Sequence, residues 1–423
     1  MSAIAAISLS RNCIEDLMDL LRVVLISPLP PQKSGEAPYA KHLINELVKS
    51  GKVDVTAISD PNADLLRVEG RDVATLRIWK GRSLFYPLLL LNRIRKIKPH
   101  IVHVQFGPYG KVYGGLFGEF MLLLLILLRA AGIRTTITLH STWMPQQVTQ
   151  RVRRYRKLGV FAPLAQALFR IYMRFLDAGT STIQLSTVKL DSKLKDVFLR
   201  TYNISHQKVL EIPHPCAQLN IGPKKKDAAE RLELGDRDVV LLFGFIRRGK
   251  GIDTAIRAIN QVRRKLPKVL LLIAGRPQGF DSGNYFKEIK KITADLELED
   301  NVRFDSRFIP DYEVPDYFAA SSILLVPYTE SVGASGPIHN YAGYGVPILA
   351  SDVGYHNRDS LGGNLFLFKP GSVSDLARKL EKILTKPEET KEVQKRQIEY
   401  TQRENWKLAG QRTIRWYLKT LEN

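Results

Sequence analysis

Short runs of apolar residues alternate along the chain with stretches whose apolar positions recur every three or four residues, and small polar residues fill the gaps. The runs Leu21–Ile26 (LRVVLI), Val53–Ile58, Ala74–Ile78, Ile101–Val104 and Thr135–Leu139 predict buried strands, and Tyr39–Lys49 predicts an intervening helix. Between about 200 and 236 the alternation lapses into polar sequence, with VLEIPHP in its middle and PKKKD after it, which predicts a linker. It restarts with strands at Val239–Phe243, Val269–Ala274, Val302–Phe304 and Ile323–Val326 and a helix over about 253–265. An α/β chain of this pattern predicts parallel, doubly wound sheets, and two such halves imply a cleft between their strand ends where the active site is expected.

The most informative stretch is 323–352, ILLVPYTESVGASGPIHNYAGYGVPILASD: a buried strand, a loop of small residues, a short helix and another buried strand. In a parallel sheet such a loop lies at the carboxyl end of its strand, where ligands bind. Ser335 and Gly336 stand where the helix begins, so backbone N–H groups without intrahelical partners are free to hold a phosphate. The loop reads as a phosphate or nucleotide site.

Composition sharpens this picture. A chain of 423 residues is too long for one ordinary core and predicts two domains of ~200 residues each. Its 44% hydrophobic and 25% charged residues are those of a folded protein, and Cys13 and Cys216, far apart, make no disulfide framework and suit a reducing cytoplasm. The balance of 63 Lys+Arg against 42 Asp+Glu leaves +21, a charge that draws polyanions. The longest apolar run, Phe120–Leu128 (FMLLLLILL), falls far short of the ~20 residues a bilayer core needs and predicts a helix buried against a sheet. The first residues lack the basic start and apolar core of a signal peptide; the expectation is that they form an extra helix or precede a start at Met18. Cations cluster at Arg93–Lys98, Arg151–Lys157 and Arg170–Arg174, and 151–176 mixes Arg with Leu, Phe, Ile and Tyr in helical rhythm, as in a helix resting on an anionic membrane. No stacking motif or nucleic-acid module accompanies them, so nucleic acid is not an expected partner.

Several chemistries are excluded. There is no G-x-G-x-x-G after the first strand, no G-x-x-x-x-G-K-[ST], no G-x-S-x-G, and no cluster of Cys and His at ligand spacing; no metal site is expected. The turn GFIRRGKGID instead sets Arg247 and Lys250 between glycines after a strand, and two cations on a short turn suit a diphosphate. Which of Arg247 and Arg248 points inward is open from sequence.

The ordered set SPLPPQKSG, PHIVHVQF, TLHS, VLEIPHP, LLFGFIRRGKGID, LLIAGRP and VPYTESVGASGPIHNYAGYGVPILASD resembles the family 4 glycosyltransferases, retaining enzymes of the GT-B fold, from about residue 21 to the C-terminal helix. The resemblance implies two Rossmann-like doubly wound domains facing each other across a cleft: 1–205 binding the acceptor, 206–400 binding the nucleotide sugar, and 401–423 a helix crossing back to the N-terminal domain. It implies transfer of a hexose from a nucleotide diphosphate sugar, a co-substrate rather than a cofactor, to a lipid-linked or surface glycan acceptor on the inner, cytoplasmic face of a membrane. Gly35, just before the first helix, is then expected near the donor through its backbone, and His140, in the T-x-H-S pattern with Ser141, beside the transferred sugar. Arg247 and Lys250 take the role of stabilising the leaving diphosphate without a metal. Most of the family carries two glutamates around the start of the last helix. Alignment on Ser335-Gly336 and Gly345-Val346-Pro347 puts Val332 at the first and Asn340 at the second, so the pair is missing. Glu330, just upstream, is a substitute candidate, Asn340 keeps the capacity to bond a ribose hydroxyl, and His339 is an extra donor contact. The departure leaves a second expectation open, a catalytically inactive GT-B protein that binds nucleotide sugar or glycan as a regulatory or scaffold component.

Overall fold

A computed structural model describes residues 20–32, 34–107, 110–115, 117–141, 143–153, 159–186, 193–217, 222–278, 281–329, 334–353 and 360–422. Glu330 and Val332 lie outside the described residues, as do Cys13, Met18 and part of the basic run 151–157.

The chain forms two compact units. The first holds the described residues up to Leu185, with Leu199–Leu210 and the C-terminal residues from Ala409; the second holds the described part of Ser186–Phe198 and Glu211–Leu408.

In the first unit seven strands lie in the order Ala74–Leu76, Val53–Ile58, Leu21–Ile26, Ile101–Phe106, Thr135–Leu139, Thr182–Leu185 and Val209–Glu211. The pairings from Ala74–Leu76 through Thr182–Leu185 are parallel. In the second unit six parallel strands lie in the order Val302–Asp305, Val269–Ala274, Asp238–Phe243, Ile323–Val326, Ile348–Ser351 and Phe366–Phe368. Both sheets run outward to one edge, return to the middle and run to the other edge. The order therefore reverses between Leu21–Ile26 and Ile101–Phe106 in one, and between Asp238–Phe243 and Ile323–Val326 in the other. Such reversals open a crevice at the strand carboxyl ends.

The second sheet shows why its strands read as unbroken apolar runs. Val239, Leu241, Leu270 and Leu272 face one buried cluster, while Val240, Leu242, Leu271 and Ile273 face another. Successive side chains point to opposite faces, and helices cover both, so every position must be apolar.

The expected linker is more structured than its polarity suggests. The end of a helix at Lys193–Tyr202, a strand at Val209–Glu211 within VLEIPHP, and a helix at Lys225–Arg231 occupy it. The three-residue strand takes the last place in its sheet, where pairing comes from a partner distant in sequence. Thr182–Leu185 and Phe366–Phe368 are further strands too short or too polar to stand out. The first helix starts at Glu36 rather than Tyr39, with Gly35 as its N-cap and the Ser34 hydroxyl accepting from the Ala37 N–H at 3.3 Å. Phe120–Leu128 lies in the helix Glu119–Ala130, which buries Met121, Leu122, Leu124, Leu125 and Leu128.

Candidate active site

The second unit gathers its chemistry at the reversal of strand order. The turn after Asp238–Phe243 and the loop after Ile323–Val326 are held edge to edge. The Thr329 N–H donates to the Gly249 carbonyl at 3.0 Å, and Gly251, at φ +66°, would bring a Cβ to 1.8 Å from the Pro327 carbonyl oxygen. Only glycine has both the backbone freedom and the missing side chain for that approach.

On this frame the Lys250 Nζ sits 3.6 Å from the centroid of the Tyr328 ring. Desolvation lowers the Lys250 pKa and Arg247 adds to the effect, with Tyr328 opposing. Burial alone would push the Tyr328 hydroxyl up, but the charge and hydrogen bond of Lys250, the Ser335 hydroxyl and Arg247 outweigh it and hold it below the ordinary phenol value. The Ser335 hydroxyl donates to the Tyr328 oxygen at 3.5 Å, and the Ser351 hydroxyl donates to the Tyr328 carbonyl at 2.5 Å, fixing the tyrosine from two sides. Tyr328 was not singled out from sequence; its place just past a buried strand in VPY was the available signal.

The ambiguity between the two arginines has a structural answer. Arg248 bonds Asp281 at 3.0 Å and Glu288 at 2.6 Å and stacks on Tyr285, so its charge is already matched. Arg247 and Lys250 pair with no carboxylate among the described residues. Two unneutralised cations side by side in one turn are a seat for an anion.

Ser335 is the N-cap of the helix Gly336–Tyr341, so the helix begins where the sequence placed it. A Cβ on Gly336 would meet only the Asn340 side chain, at 3.9 Å, and that half-buried side chain makes no hydrogen bond among the described residues. His339, expected as an extra donor contact, lies within the same helix. Its ring is fully buried, burial lowers its pKa to about 4, and its Nδ1 bonds the Ser335 carbonyl at 2.9 Å, so it braces the helix start. Beside it lies the His214 ring, centroids 4.6 Å apart.

Gly35 and His140 belong to the first unit. Gly35 has helical φ −69°, and a Cβ there finds nothing within 4 Å, so neither backbone strain nor crowding within the protein requires a glycine. His140 is half-buried at the end of Thr135–Leu139, its Nε2 2.7 Å from Gln105 Oε1 and its ring edge-to-face with Tyr39. Desolvation lowers its pKa to about 3, so the imidazole is neutral near pH 7. Near the loops of the same unit a cavity of about 360 Å³ is lined by Trp79, Lys80, Arg82 and Lys111, with Asp60.

Residues 223–404 match the family model described as glycosyl transferases group 1. The GDP-mannose-dependent alpha-(1-6)-phosphatidylinositol monomannoside mannosyltransferase of Mycolicibacterium smegmatis is 32% identical over 152 residues, 34% of this chain and 37% of that protein. The D-inositol 3-phosphate glycosyltransferase of Streptomyces bingchenggensis is 27% identical over 237 residues, 53% of this chain and 51% of that protein. The chain thus spans between about a third and a half of the length of these relatives. Among solved structures, Anabaena Alr3699/HepE in complex with UDP-glucose superposes with a TM-score of 0.68 at 14% identity, covering 95% of this chain and 99% of that one. That likeness shows a shared fold, GT-B.

Proposed function

We propose that this chain, whose residues 223–404 match the family model described as glycosyl transferases group 1, is a retaining hexosyltransferase using a nucleotide diphosphate sugar. The observation that carries this reading is the pair Arg247 and Lys250, without carboxylate partners among the described residues, at the reversal of strand order beside Tyr328, Ser335 and a helix start.

In the proposed reaction the bond between the anomeric carbon and the donor phosphate oxygen breaks as the acceptor oxygen approaches from the same face. The acceptor proton passes to the departing diphosphate, whose growing charge Arg247 and Lys250 stabilise. Those cations take the place a metal ion fills in other phosphate chemistry, so neither metal nor cofactor enters the proposal. Asn340 offers the ribose a neutral hydrogen bond where a glutamate would offer a charged one. That loss is also what favours the second reading, a binding protein without turnover. Release of nucleoside diphosphate from a panel of sugar donors separates the two: turnover with one donor is expected, and donor binding without any release supports the binding protein instead.

For the acceptor we propose a lipid-linked glycan or glycolipid. The name of one relative specifies phosphatidylinositol monomannoside and that of another D-inositol 3-phosphate. The cavity lined by Lys80, Arg82 and Lys111 suits a phosphorylated acceptor of that type.

We further place the enzyme at the inner face of a membrane, bound peripherally. No helix among the described residues is long and apolar enough to cross one. On the helix Ala162–Gly179, however, Leu164, Leu168, Ile171 and Phe175 form an exposed stripe at helical spacing, with Arg170 and Arg174 exposed beside it. Exposed Leu84, Phe85, Leu88 and Leu89 add to the apolar surface of the same unit. An apolar stripe rimmed by cations fits an anionic lipid surface. Arg170→Ala/Arg174→Ala is expected to weaken flotation with anionic vesicles about 30-fold, from ~1 kcal/mol per cation near the surface. Capture by neutral and anionic vesicles alike, or no change in the double variant, overturns the membrane assignment.

A further inference from the structure

We propose that Tyr328 is a positioning residue of the transfer reaction: its ring face holds the Lys250 ammonium in the anion seat without neutralising it, and its hydroxyl ties that platform to Ser335 at the helix start. The inference rests on the reading of Arg247 and Lys250 as the seat of the leaving diphosphate.

The backbone sets the two residues face to face. The basic turn and the loop after Ile323–Val326 run past each other in opposite directions. Gly249 meets Thr329, whose N–H lies 3.0 Å from the Gly249 carbonyl, and Gly251 meets Pro327, whose carbonyl oxygen would lie 1.8 Å from a Cβ on that glycine. Lys250 stands between the two glycines and Tyr328 between their two partners, so the register itself puts lysine opposite tyrosine. The tyrosine has little freedom of its own. It is only 8% exposed, the Ser351 hydroxyl donates to its carbonyl at 2.5 Å, and the Ser335 hydroxyl lies 3.5 Å from its own.

Such a pairing holds a charge without cancelling it. A lysine ends a flexible four-carbon stem, and fixing it costs rotamer freedom that some contact must offset. A carboxylate would offset that cost and neutralise the ammonium as well, as Asp281 and Glu288 do for Arg248 on the same turn. An aromatic face attracts the ammonium through the ring quadrupole and leaves its full positive charge for an arriving anion. The Lys250 Nζ is 3.6 Å from the Tyr328 centroid, well inside the ~6 Å reach of that attraction.

The charges around the ammonium point the same way. Burial and Arg247 both disfavour a protonated Lys250, and Tyr328 opposes them. One side chain thus fixes the position of the lysine and supports the protonation state that a diphosphate needs. Ser335 carries the arrangement further, because its carbonyl is bonded by His339 Nδ1 at 2.9 Å within the helix Gly336–Tyr341. Contacts then run from Lys250 through Tyr328 and Ser335 to that helix, and two motifs far apart in sequence become parts of one seat.

Fluorinated phenylalanines at position 328 of the full-length protein keep the shape of the ring while draining negative charge from its face. Tyr328→Phe retains that face and should keep kcat within about 3-fold of wild type, having lost only a long hydrogen bond. From there kcat should fall with each added fluorine, reaching about 10- to 30-fold below Tyr328→Phe for the trifluorinated ring, the cost of losing a desolvated cation–π contact. Donor KM should stay nearly unchanged, because the charge that Lys250 meets grows in the transition state. In a Lys250→Ala background the same replacements should have no further effect. A rate indifferent to fluorination, or equal losses with and without Lys250, overturns the positioning role. Calorimetric binding of inorganic diphosphate, which carries the extra charge the departing group gains, needs no turnover. Its affinity should weaken about 10-fold from Tyr328→Phe to the trifluorinated ring. Equal affinities across the series overturn the proposal, and so does a wild-type protein that binds no diphosphate. Absence of turnover with every donor, while diphosphate affinity still follows the fluorine series, would sink the transferase reading alone and leave Tyr328 in its role.

Discussion

Lys250→Ala is expected to lower turnover by ~10²-fold or more at saturating donor, the usual cost of removing one group that stabilises transition-state charge. The cation is preset: Lys250 lies over the Tyr328 ring at 3.6 Å and pairs with no carboxylate among the described residues. Desolvation already works against its charged form, so a diphosphate that arrives there favours the charge that burial opposes. The gain grows as the bond to the sugar breaks and negative charge accumulates, which places the effect on kcat rather than on donor KM. Arg248→Ala is the control on the same turn. Its charge is held by Asp281 and Glu288, and its rate should stay within a few-fold of wild type. Nucleoside diphosphate release measures both variants; a near-normal rate for Lys250→Ala, or equal losses in the two, would remove Lys250 from the mechanism.

The second large effect is on stability. Gly251→Ala should cost about 3 kcal/mol, combining a left-handed backbone without glycine with displacement of the Pro327 carbonyl. The φ of +66° and the 1.8 Å approach are the two sources. For a unit of this size that corresponds to a fall in melting temperature of roughly 6–12 °C. Gly235→Ala isolates the first source, because Gly235 has φ +61° with nothing within 4 Å of a Cβ, and should cost only about 1 kcal/mol. The difference between the two melting curves reads the contact that locks the basic turn against the loop after Ile323–Val326. Equal shifts would mean that this contact contributes nothing.

Much of the fold was legible because its signals are local. Buried strands such as Val269–Ala274 are apolar at every position, since both faces of the sheet are covered. The glycines of GKGID and the helix start at Gly336 depend on a few neighbouring residues, and the structure places them as expected. Val209–Glu211 was hidden because three residues carry little periodicity and pairing supplies the rest. The burial of His339 was hidden for a related reason: its own sequence neighbours show a polar ring near a loop, whereas its burial comes from tertiary packing that includes the His214 ring.

The sequence by itself determined that the chain alternates strands and helices in two halves, that small residues open the helix at Ser335-Gly336, and that cations crowd the turn at 247–250. Each follows from periodicity, side-chain size or charge within a short window. Only the tertiary structure decided which arginine is spent and that Tyr328 seats Lys250. Those outcomes depend on partners from other elements: Arg248 meets Glu288 from 40 positions away, and Lys250 meets Tyr328 from the loop after a neighbouring strand. A side chain's charge and protonation are set by what is packed against it, and no local pattern carries that information.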